Sequence, residues 1–435
     1  MEDAHMSIRV PGDKSLTQRA LIFSGLAEGE SVLSGLLYGG DAASTAGALR
    51  LLGVPLGPIP SDGSPVRVEG LGLQGITQPD VPLDLGNSGT GTRLLMGVLA
   101  GSPVTALVTG DASLRSRPMA RVVEPLARMG ATFRSLEVEG RLPLEVRGAR
   151  PLAPLEWPSP VASAQVKSAL LLAGVTGGAF VLYNEPRRSR DHTERLLAMM
   201  GAPLVEHAAG GGWRVELRDP PERLRPLEFQ VPGDPSSAAF FLALAALGGA
   251  GDQLDVDDVG LNPTRTAFLD VLRRMGARVE ATLAADPEGG EPVGTLTVGP
   301  AALRATEVGG DEVPGLIDEL PLVAVLGARA QGETRITGAG ELRHKESDRI
   351  TATVENLRGL GVEAEELPDG MVVVGSDRPL RGKIRTRGDH RIAMAFGVLG
   401  ALPGNRIGVD DPDAADVSFP GFWKLLDGVA RGKRG

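Results

Sequence analysis

One phrase occurs five times in this chain: an apolar helical end that closes on glycine and leads into an extended run. The copies are Leu49-Arg50-Leu51-Leu52-Gly53-Val54, Leu126-Ala127-Arg128-Met129-Gly130-Ala131, Leu197-Ala198-Met199-Met200-Gly201-Ala202, Leu272-Arg273-Arg274-Met275-Gly276-Ala277 and Leu357-Arg358-Gly359-Leu360-Gly361-Val362. Their glycines stand 77, 71, 75 and 85 residues apart. Glycine is a common helix stop because it accepts the left-handed conformation that a helix C-terminus favours. Common stops do not recur at near-constant spacing, so the phrase marks a repeated unit of roughly 75 residues. Over 435 residues that period implies six units. The sixth is expected around the junction of the two termini, degenerate near Leu425-Leu426-Asp427-Gly428.

Each unit carries β-branched runs, such as Val66-Arg67-Val68, Val104-Thr105-Ala106-Leu107-Val108 and Met371-Val372-Val373-Val374, between amphipathic helical stretches. The fold class is therefore α/β. A chain this long exceeds what one core usually supports, so two similar domains of three units each are expected. The break falls near Phe229-Gln230, where Val231-Pro232-Gly233-Asp234 repeats Val10-Pro11-Gly12-Asp13 and suggests paired crossover strands at a hinge. That assigns 13–230 to one domain, and 1–12 with 231–435 to the other.

Six units and two domains create room for a cleft, and charge restricts what can fill it. The net charge of -10 and a pI near 5.2 exclude nucleic acid as the main partner. Basic residues that do cluster must therefore serve something small. With no cysteine there is no disulfide or thiolate site, and the histidines His5, His192, His207, His344 and His390 show no metal-ligand spacing, so no metal is expected. No run approaches a membrane span and no signal segment opens the chain, which reads as a cytoplasmic protein. Residues 1–6 read as lacking regular structure.

The basic residues recur in short polar phrases. Pro11-Gly12-Asp13-Lys14-Ser15-Leu16-Thr17-Gln18-Arg19 sets two cations and a hydroxyl on the first turns of an apolar helix, with Asp13 able to cap it and Gly29 expected to end it. A helix N-terminus already favours an anion, and Lys14 and Arg19 add to that preference. Leu85-Gly86-Asn87-Ser88-Gly89-Thr90-Gly91-Thr92-Arg93 is a second anion cradle entering an apolar helix. By contrast, Gly70-Leu71-Gly72-Leu73-Gln74-Gly75 only mimics a dinucleotide fingerprint, because Pro79 and Pro82 follow where a helix is needed. Further phrases are Arg115-Ser116-Arg117-Pro118, Ser163-Ala164-Gln165-Val166-Lys167, Arg187-Arg188-Ser189-Arg190-Asp191-His192, Glu341-Leu342-Arg343-His344-Lys345-Glu346-Ser347-Asp348-Arg349 and Gly388-Asp389-His390-Arg391. Arg391 precedes a helix so apolar that it is expected at a buried mouth, with Asp318 and Glu346 as its acidic partners. A carboxylate so placed can be poised for proton transfer.

These segments, in this order and over essentially the whole chain, resemble the 5-enolpyruvylshikimate-3-phosphate synthase family. The resemblance implies two domains of three βαβαββ units each, an inside-out α/β barrel, joined by two crossover strands and closing over substrate. It implies a monomer that needs no metal or organic cofactor, and that joins two small anions, shikimate-3-phosphate and phosphoenolpyruvate. Carried over by motif, shikimate-3-phosphate falls to Lys14, Ser15, Arg19, Ser163, Ala164, Gln165, Arg190, Asp318 and Lys345. Phosphoenolpyruvate falls to Lys14, Gly89, Arg117, Gln165, Arg349 and Arg391. Asp318 resembles the base for the 5-hydroxyl and Glu346 the group that exchanges a proton with the enol methylene, assisted by Lys14. Gly89 resembles the residue that leaves room for the herbicidal mimic glyphosate. The chain departs from some relatives at Val417, where they carry lysine, at Glu341, where they carry asparagine, and at Ser189, where they carry tyrosine. A UDP-N-acetylglucosamine enolpyruvyl transferase is the rival enzyme, but it usually has Lys-Asn in place of Lys14-Ser15 and a loop cysteine. A phosphosugar-binding repeat protein without catalysis would leave Asp318 and Glu346 idle.

Overall fold

The computed structural model describes residues 6–202, 204–284 and 290–432. They divide into two compact units: an N-terminal unit of 12–231 with the short segment 290–291, and a C-terminal unit of 6–11, 232–284 and 292–432.

In the N-terminal unit, Leu83–Asp84 lies parallel to Thr105–Thr109, which pairs antiparallel with Leu144–Arg147, itself antiparallel to Thr132–Ser135. The same order recurs in Leu155–Pro158, Val181–Glu185, Gly212–Leu217 and Val205–Ala209. A third sheet sets Glu228–Gln230 parallel to Glu28–Ser34, which pairs antiparallel with Val66–Leu71. The C-terminal unit repeats the pattern in Met6–Arg9, Leu254–Gly260, Val293–Val298 and Val279–Leu283, and again in Glu307–Val308, Glu333–Ile336, Gly370–Val374 and Ala364–Leu367. Its last sheet holds, among the described residues, only the parallel pair Arg381–Ile384 and Arg406–Val409. A parallel pair needs a crossover helix and an antiparallel pair only a hairpin, so each full sheet is one βαβαββ unit.

Two first strands are exchanged. Glu228–Gln230 supplies the opening strand of a repeat otherwise built from residues 14–71, and Met6–Arg9 does the same for the repeat that runs from 235 to 298. This corrects two expectations. The N-terminal segment does not complete the sixth unit, because its register with Leu254 to Asp257 commits it to the fourth. The sixth unit, from Arg381 on, simply ends after the helix Phe422–Gly432, two strands short among the described residues. Met6 opens a strand rather than lacking structure, and residues 1–5 lie outside those described.

All five repeat glycines have positive φ: +94° at Gly53, +115° at Gly130, +85° at Gly201, +100° at Gly276 and +81° at Gly361. Gly29 does not play that part. The helix Lys14–Leu26 ends at Ala27, whose extended backbone runs straight into the strand Glu28–Ser34, and Gly29 sits within that strand.

Three helices form the middle of each unit: Lys14–Leu26, Gly89–Ala100 and Ala164–Gly177 in the first, and Pro235–Ala246, Leu320–Gly327 and His390–Ala401 in the second. Each is buried nearly all round, as a helix without a polar face must be. Their polar groups are consequently concentrated at their first turns. Asp13, Ser88, Ser163, Asp234 and Asp389 cap five of the six by accepting from backbone N–H groups of those turns.

Candidate functional site

In the N-terminal unit the three capped first turns meet. Gln18 Nε2 donates to Ser88 Oγ at 2.9 Å, Gln165 Nε2 donates to Thr90 Oγ1 at 2.9 Å, and Arg19 Nη2 donates to Ser168 Oγ at 2.9 Å. Three helix N-termini thus present their partial positive charge to one locality, which attracts anions before any side chain is counted. Arg19, 2% exposed, also donates to Thr193 Oγ1 at 2.9 Å and to the Ser15 carbonyl at 3.1 Å. All its acceptors are neutral. Burial, reinforced by the nearby Arg190 cation, lowers its pKa to about 10, although Glu194 and Asp13 act in the other direction.

Around this core the sequence-predicted residues gather. Lys14 Nζ lies 3.2 Å from Asp41 Oδ2, so the lysine is held rather than dangling. Arg117 donates to Asn87 Oδ1 and, at 3.2 Å, to Ser113 Oγ. Arg93 Nη1 donates to Gln165 Oε1 at 2.8 Å, which fixes the amide of Gln165. A methyl on Gly89 would stand 3.0 Å from Arg93 Nη1 and 3.1 Å from Arg117 Nη1, so glycine there lets two guanidinium groups approach the helix start.

The C-terminal unit is organised differently. Asp348 caps the helix Arg349–Gly359, which places Arg349 on its first turn and Glu346 three residues before. Arg349 is 1% exposed and donates to Asp389 Oδ2 at 2.8 Å, to Asp318 Oδ1 at 3.2 Å and to Glu346 Oε2 at 2.6 Å. Burial works against its charge, but Asp389, Glu346 and Asp318 outweigh it and raise its pKa. Lys345 Nζ donates to Asp318 Oδ1 at 3.3 Å, so that carboxylate is shared by two cations. The expected pairing of Arg391 with Asp318 and Glu346 is not found: those carboxylates turn to Arg349, and the acid facing Arg391 is Glu319, 3.8 Å away. Glu319 begins the apolar helix Leu320–Gly327, so its carboxylate and Arg391 are buried together. Ser236 donates to Glu319 Oε1, and Arg265 bonds Ser236 and Asp234 in turn.

Several contributors escaped the sequence reading. Asp41, Glu319 and Asp389 neutralise or orient the residues it singled out, and Arg93, read there as part of the second anion cradle, orients Gln165. Lys167, Glu185 and Glu194 form a wholly buried charged group behind the first turn of Ala164–Gly177. Their phrases were visible, but a single sequence gives no sign of which charge turns inward. Among the described residues no three acidic or histidine side chains converge as a metal site, and no helix is long and apolar enough to cross a membrane.

Two units of three repeats each, four of the six complete as βαβαββ among the described residues, with charged first turns on buried helices, define a class. The enolpyruvyl transferase NikO from Streptomyces tendae has the same fold, with a TM-score of 0.76 at 19% identity over 97% of this chain and 94% of that one. Likeness to EPSP synthase from Acinetobacter baumannii is greater, with a TM-score of 0.82 and 35% identity over 98% and 95% of the two chains. The 3-phosphoshikimate 1-carboxyvinyltransferase of Sulfurihydrogenibium sp. is 44% identical over 98% of this chain and 97% of its own. The family model for EPSP synthase (3-phosphoshikimate 1-carboxyvinyltransferase) matches residues 2–426, and this chain belongs to that family.

Proposed function

We propose that this protein transfers the carboxyvinyl group of phosphoenolpyruvate to the 5-hydroxyl of shikimate-3-phosphate, releasing phosphate. The hydroxyl oxygen bonds to C2 of phosphoenolpyruvate while C3 takes a proton; loss of phosphate from C2 and of a proton from C3 then restores the double bond. The observation that carries this reading is the placement of the two carboxylates the reaction needs, Asp318 and Glu346, on one buried guanidinium, Arg349. Held by Lys345 and Arg349, Asp318 keeps a fixed direction from which to take the hydroxyl proton. Glu346, partly exposed, exchanges a proton at C3.

Lys14, Ser15, Arg19, Ser163, Ala164, Gln165 and Arg190, with Asp318 and Lys345, bind shikimate-3-phosphate. Lys14, Gly89, Arg117, Gln165, Arg349 and Arg391 bind phosphoenolpyruvate. The neutral hydrogen-bond acceptors of Arg19 support this division, because a buried cation with no carboxylate acceptor favours an incoming phosphate. Positioned cations then stabilise the charge of the tetrahedral adduct without having to reorganise. Phosphate release from phosphoenolpyruvate is the test. It should require shikimate-3-phosphate; release with UDP-N-acetylglucosamine instead, or with neither acceptor, removes the reading.

A further inference from the structure

Lys167, Glu185 and Glu194 are fully buried, and none belongs to the substrate-binding set above. Lys167 Nζ lies 3.0 Å from Glu185 Oε1 and 2.7 Å from Glu194 Oε1. Such a group is costly to bury, and an apolar replacement of similar volume is often as stable or more so. Stability is therefore a poor account of why it is there, whereas its contacts point elsewhere. Lys167 Nζ donates to the Ser189 carbonyl at 3.3 Å, and Glu185 Oε1 accepts from the Ser189 N–H at 2.9 Å. Both backbone polar groups of Ser189 are thus held by one buried ion pair, in a segment with no regular secondary structure between the strand Val181–Glu185 and the helix His192–Met199. The residue that follows is Arg190. Lys167 itself sits two residues beyond Gln165, on the helix capped by Ser163.

We infer that Lys167, through Glu185, is a positioning residue: it fastens the backbone before Arg190 to the helix that carries Ser163 and Gln165, and so sets the spacing of the groups around the shikimate-3-phosphate phosphate. This rests on the functional reading above. Glu194, on the helix after Arg190, closes the group from the far side. Of the residues assigned to phosphoenolpyruvate only Gln165 lies on an element the fastening joins, so its loss should be felt unequally by the two substrates.

The triple variant Lys167→Met, Glu185→Gln, Glu194→Leu removes the buried charges together and keeps an acceptor for the Ser189 N–H, while the Ser189 carbonyl loses its donor. Expected are an unchanged or higher melting temperature, a KM for shikimate-3-phosphate raised roughly tenfold and a KM for phosphoenolpyruvate within about twofold of wild type. An unchanged KM for shikimate-3-phosphate in a folded variant overturns the inference, and so does an equal rise in both KM values. Hydrogen exchange of the wild-type enzyme provides a check that does not depend on the variant folding. The Ser189 amide should exchange far more slowly than those of the exposed Arg187 and Arg188, and equal rates overturn the inference. Wild-type phosphate release separates the two levels: inactivity with shikimate-3-phosphate removes the functional reading, whereas an active wild type and an indifferent variant remove only the role of Lys167.

Discussion

Arg19 and Arg349 are both arginines of a first or second helical turn, both almost wholly buried, and they are solvated in opposite ways. Arg19, in the N-terminal unit, gives its hydrogen bonds to two hydroxyls and a carbonyl, and its pKa falls to about 10. Arg349, in the C-terminal unit, is ringed by Asp318, Glu346 and Asp389, and its pKa rises. Burial penalises each cation; what differs is whether carboxylates or neutral groups accept its hydrogen bonds. Where its acceptors are neutral, the role proposed for the cation is to receive a phosphate. Where they are three carboxylates, the cation serves to aim them. The same fold, used in both units, gives one buried arginine neutral acceptors and the other three carboxylates.

The largest effect expected from breaking this contrast is on turnover. Asp318→Asn should lower kcat by about 10²- to 10⁴-fold while changing shikimate-3-phosphate affinity far less, as steady-state kinetics and calorimetric titration would read. Comparable losses in both would make Asp318 a binding group only. Next comes stability. Arg349→Gln leaves the buried Asp389 and the half-buried Asp318 and Glu346 without their shared cation and should cost about 3–5 kcal/mol in urea unfolding. Arg19→Gln strands only neutral acceptors, so it should cost less than half as much while raising the KM for shikimate-3-phosphate. Equal costs would erase the distinction.

A smaller effect comes from Glu194, whose carboxyl burial raises to about 7 against the pull of Lys167. The folded protein then holds a proton between pH 4.5 and 7 that the unfolded chain has already released, so stability falls as pH rises through that window. Glu194→Gln should abolish a component of this fall on the order of 3 kcal/mol, read from urea midpoints of both proteins at pH 5 and pH 8. Parallel curves would contradict it. The smallest effect expected is that of Gly89→Ala. Its methyl meets Arg93 and Arg117 at 3.0 and 3.1 Å, so both guanidinium groups must give by a few tenths of an ångström. The KM for phosphoenolpyruvate should rise several-fold and the glyphosate inhibition constant by more; an inhibition constant unmoved by the substitution would refute the steric account.

Much of the architecture could be read along the chain because its causes are local. Gly53, Gly130, Gly201, Gly276 and Gly361 mark left-handed helix stops at a steady interval, and Asp13 and Ser88 announce helix starts. The N-terminal strand was assigned to the wrong unit because strand exchange is not local: whether Met6–Arg9 joins the fourth sheet or the sixth depends on hydrogen bonds to residues some 250 positions away. The same holds for the site. The seven cationic phrases were legible, but the partner of Arg391 was not, since Asp318 and Glu319 are adjacent in sequence and only packing decides which of them faces which arginine.

The sequence by itself determined the period of the repeat, the α/β character and the polar residues that open each buried helix, because backbone propensity and hydrophobic pattern act over a few residues. Only the tertiary structure decided how those charges are shared, leaving Arg19 among hydroxyls, Arg349 among carboxylates and Lys167 out of water. Desolvation and pairing are set by neighbours that the chain brings together from distant positions.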